Sequence, residues 1–159
     1  GNILTSGRSS RLHRKIIYED QSALSVFASV DNNKAPGLFV ITVNSIKQGH
    51  ALEELESVAN ESLELLKAEM VTERELEKAI NQMETNLIFG LQTNFVKGMR
   101  IGFSLARTGD PLGFVKKLES YRHATAKDIQ KVAIKYFTPE NRTIIRLIPK
   151  GNSEIPIPK

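Results

Sequence analysis

Residues 2–12 read NILTSGRSSRL, and they hold a helix end and a helix start back to back. Ile3 and Leu4 make an apolar last turn, Thr5 and Ser6 follow, and Gly7 is free to adopt the left-handed conformation that closes a helix. Ser9 and Ser10 then offer N-cap oxygens to a second helix. Its apolar residues Leu12, Ile16 and Ile17 recur at helical spacing, and the pattern runs from about Ser10 to Asp20.

Downstream of Asp20 the period changes. Ala23–Val30 and Leu38–Val43 are rich in Val, Phe and Ile, and the turn formers DNNKAPG at 31–37 separate them. This predicts a β-hairpin with a long loop. The second strand, GLFVITVNS, is nearly continuous in apolar and β-branched residues, which predicts a central strand with little solvent on either side.

From His50 the pattern turns helical. Leu52, Leu55, Val58, Ala59, Ser62, Leu65 and Leu66 form one stripe, with Glu53, Glu54, Glu56, Glu61 and Glu64 off it. Thr72 with Glu75 is a capping box ahead of Leu76, Ala79, Ile80, Met83 and Leu87. That helix breaks or bends near Gly90–Asn94. Phe95, Met99, Gly102, Phe103 and Ala106 continue a stripe up to a stop at Gly109. Asp110-Pro111 starts another helix, with Phe114, Leu118 and Tyr121 on its apolar face. Thr125–Asp128 opens one more, carrying Ile129, Val132, Ala133 and Tyr136 before Pro139 stops it. Thr143–Ile148 reads as a strand, and the tail KGNSEIPIPK at 150–159 as a linker or loose end.

Composition excludes several classes. The 159 residues, 40% hydrophobic, suffice for one domain with a substantial core. Net charge is +4, but the 22 basic residues are interspersed with 18 acidic ones, no run of Lys and Arg exceeds two, and Trp is absent. A solvated mixed-charge surface, without nucleic acid as partner, is the reading. No cysteine occurs, which excludes disulfides and thiolate metal sites and leaves the compartment open. No apolar stretch of membrane-spanning length is present.

The catalytic inventory is short. Three histidines occur, His13, His50 and His123. His50 opens HALEE, which compares with the zinc motifs H-E-x-x-H and H-x-x-E-H, but Glu54 stands where the second imidazole belongs. A polar residue at the mouth of a helix is the simpler reading. His13 and His123, beside Arg14 and Arg122, read as solvated helix residues. Neither G-x-S-x-G nor G-x-x-x-x-G-K occurs. No catalytic residue and no metal ligand is assigned.

GRSSRLHRKIIYEDQSALSVFA with the hairpin after it, then TERELEKAINQ, then TAKDIQKVAIKYFTPENRTIIRLIPK, resemble in order the later part of a repeat unit of the insulinase/pitrilysin zinc metallopeptidases, the sixteenth metallopeptidase family. The glycine-SSRL helix start and the YFTPENRT exit are the most specific elements. The resemblance implies an α+β unit of two layers, an antiparallel or mixed sheet covered on one face by helices. Such units work in pairs that close over a peptide. The first of a pair carries H-x-x-E-H and a distal Glu as its zinc site, and the second carries no metal.

With no H-x-x-E-H, this chain resembles the second unit. The resemblance implies no cofactor here, zinc in a homologous partner domain of the same chain or another, and a peptide substrate. Many second units place an Arg and, about seven residues on, a Tyr against substrate. Tyr18 stands in the place of the Arg, and Ser25, or Leu24 if the register slips, in the place of the Tyr, so no substrate contact is carried over. Two functions follow, the closing, peptide-binding half of a zinc peptidase or a catalytically inactive assembly subunit of the same fold. The resemblance also implies a longer unit: residues 1–149 would be most of one domain, preceded by further strands and a helix totalling about 60 residues. Without them, unpaired strand edge and apolar helix surface imply self-association.

Overall fold

Gly7 does close a helix: its φ is +81°, and the chain ahead of it is the short helix α1, Asn2–Thr5. Leu4, on that last turn, is 2% exposed and belongs to the core. This computed structural model describes residues 1–31, 37–47 and 49–147. The middle of the hairpin loop, Ile148 at the end of the expected last strand, and the tail from 150 lie outside the described residues.

The second helix starts where expected and then changes type. α2 spans Arg11–His13 and runs directly into a π-helical turn, Arg14–Glu19. Ser10 occupies the N-cap position, but its hydroxyl donates back to the Gly7 carbonyl at 2.7 Å instead of accepting a helix N–H. It therefore ties the turn and not the helix start. The π turn is closed by the Asp20 N–H on the Lys15 carbonyl at 2.9 Å, and Gln21 leaves it with φ +49°. Such widened turns cost regular hydrogen bonding and persist where packing fixes them. Here Leu12 and Ile16, each fully buried, do the fixing.

The hairpin forms from β1, Ala23–Val30, and β2, Phe39–Ile46, antiparallel with Val26 opposite Val43 and Ala28 opposite Ile41. Val26 is 2% exposed, and Phe39, Ile41 and Val43 pack against the core beside it. On the other face Phe27 and Val40 are exposed, as are Thr42 and Asn44. β2 is thus half-solvated, correcting the expectation of a central strand. Among the described residues the sheet has two strands, and no second layer covers its outer face. Residues 142–147 form no ladder, since a strand needs a partner and none of the described residues supplies one. They are held instead by side chains, Arg146 Nη2 donating to Glu56 at 2.6 Å and Arg142 Nη1 to Asn60.

Helices cover the hairpin's inner face. α3, Leu52–Ala68, buries Leu55, Val58, Ser62 and Leu66, while Leu65 from the expected stripe is about half exposed. α4, Glu73–Gly90, begins with the complete Thr72–Glu75 capping box. α5, Asn94–Thr108, ends at Gly109 with φ +74°. α6, Gly113–Arg122, starts later than expected, because Asp110 uses its carboxylate to accept from the Leu112 N–H at 2.9 Å in a turn ahead of the helix. α7, Ala126–Tyr136, has its own capping box, Thr125 with Asp128. α3 and α7 are joined where Gln130 donates to the Lys67 carbonyl at 2.9 Å and Lys67 donates to that of Phe137 at 3.1 Å. The architecture is the expected α+β unit with helices on one face of an antiparallel sheet.

Leu12→Ala removes a side chain with no exposure and should cost about 2 to 5 kcal/mol, whereas Phe27→Ala on the open face should cost under about 0.5 kcal/mol. Urea denaturation of the two variants checks this; similar small losses would show that the core does not lie between hairpin and helices.

Candidate functional site

A cleft of about 300 Å³ lies between the α2–π segment and the helices α3 and α4. Arg11, Arg14, Lys15 and Glu19 line one side of it, and Glu61, Leu65, Glu69 and Glu75 are among those lining the other. Its cations are paired. Arg11 donates from Nε to Glu75 Oε1 at 2.7 Å and from Nη2 to Oε2 at 2.9 Å, a bidentate geometry. Arg14 meets Glu19 at 3.1 Å and Lys15 meets Asp20 at 3.0 Å. Two serines on its walls are engaged as well: Ser62 donates to the Val58 carbonyl at 2.9 Å, and Ser9 accepts from Lys78 at 2.8 Å. No histidine is among its lining residues.

Glu75 is the most perturbed carboxylate of the site. Its pKa falls from the ordinary 4.5 to about 2, chiefly through the hydrogen bonds from Arg11, against partial desolvation and with help from the Thr72 N–H at 2.9 Å. One side chain thereby caps α4 and pins α2. The capping role is legible in the spacing of Thr72 and Glu75; the partnership with Arg11, 64 residues away, is not.

The residues singled out in the sequence do not converge. Tyr18 is on the π turn, about half exposed, with its ring 5.6 Å from that of His13. Ser25 is half-buried in β1 opposite Asn44, and Leu24 beside it is exposed. His50 Nδ1 stands 3.0 Å from Glu54 Oε2 at the mouth of α3. Two ligands do not make a protein zinc site, which takes three or four, and among the described residues no group of three His, Cys, Asp or Glu could hold a metal ion. The residues present therefore do not fit zinc. His13 departs from the expected solvated helix residue: it is half-buried, and its Nδ1 is shielded with no hydrogen-bond partner among the described residues. His123 is exposed at the end of α6. No helix among the described residues is long and apolar enough to cross a membrane.

Residues 1–83 match the family described as the Peptidase M16 inactive domain, and the chain belongs to that family. No curated protein matches. Among solved structures, the chain is similar to a protein named as a zinc protease from Bordetella pertussis Tohama I, at 26% identity and a TM-score of 0.78, covering 93% of this chain and 80% of that one. It is also similar to the inactive peptidase domain of a protein named as a zinc protease from Bordetella parapertussis, at 25% identity and a TM-score of 0.80, over 93% and 78% of the two chains. A protease from Helicobacter pylori shares the fold at 20% identity and a TM-score of 0.76; 86% of this chain aligns with 33% of that one.

The Glu75 shift fixes a pH dependence. Because its folded pKa lies below 4.5, its stabilisation is present in full above about pH 5 and is lost as pH falls through 4.5 toward 2. Glu75→Gln should lower stability at pH 7 by about 1 to 2 kcal/mol and flatten the decline between pH 5 and 3. Urea midpoints across that range check it, and an unchanged acid slope would remove Glu75 as its source.

Proposed function

We propose that this chain is the non-catalytic half of a zinc-dependent metallopeptidase. It pairs with a homologous zinc-bearing half, and the two enclose and bind a peptide that is hydrolysed at the partner's metal. The observation that carries this reading is the match of residues 1–83 to an inactive peptidase domain in a sequence with no H-x-x-E-H. The solved structure of an inactive domain from a zinc protease supports it, since that protein's description already divides an inactive domain from the rest. In this reading residues 1–149 belong to one unit and 150–159 are its tail.

The test is reconstitution with the H-x-x-E-H polypeptide of the same organism. Either chain alone should leave a fluorogenic peptide library intact, and the mixture should cleave it in a manner abolished by a zinc chelator. A stable pair that cleaves nothing would instead establish an assembly subunit of the same fold. Cleavage by this chain alone would overturn both.

A further inference from the structure

We draw no further inference here: the strongest candidate, the exposed apolar patch that Phe95, Met99 and Phe103 form along α5, carries nothing because nothing in the structure shows what covers it.

Discussion

Glu75 is shared between two partners, and that sharing sets how the two ends of the fold meet. Its carboxylate accepts the Arg11 guanidinium and also closes the capping box at the start of α4. One turn further along α4, Lys78 donates to the Ser6 carbonyl at 3.1 Å and to the Ser9 hydroxyl, satisfying groups that the end of α1 leaves open. The segment from Ser6 to Arg11 is therefore held to α4 at several points. Leu4, Leu12 and Ile16 are delivered by that segment into the core that Val26, Leu55 and Val58 complete. A partly buried charge pair contributes modestly by itself, but removing either member leaves the other stranded beside apolar neighbours.

Local signals were readable where local chemistry decides the structure. Gly7 and Gly109 stop helices because only glycine takes positive φ without strain, and the two capping boxes place α4 and α7 from spacing alone. The hairpin followed from β-branched runs around turn formers. What failed needs knowledge of neighbours. The apolar run of β2 implies burial on both faces, yet Val40 is exposed because nothing within the described residues covers that side. Thr143–Leu147 has strand composition without a ladder. The π turn at Arg14–Glu19 keeps the apolar spacing of an ordinary helix, so no periodicity could separate the two. At the candidate site, only the capping half of Glu75's role was visible; Arg11, the partner that fixes its pKa, is a long-range choice.

The apolar patterning of the chain exceeds what its own fold buries. Phe89, Phe95, Phe103, Ile145 and Leu147 are all more than half exposed. Isolated apolar residues on a surface are ordinary, but rows of them along one helix face are the mark of an interaction surface. The charges of the cleft beside α2 are paired with one another, and the chain belongs to the Peptidase M16 inactive domain family.

Zinc content is the most direct measure of the central claim that this chain is the half without the metal. Dialysed against excess zinc and then freed of unbound ion, the purified chain should retain well under one zinc per molecule, and His50→Ala should not change the result. About one tightly held zinc per chain, lost in His50→Ala, would contradict the account.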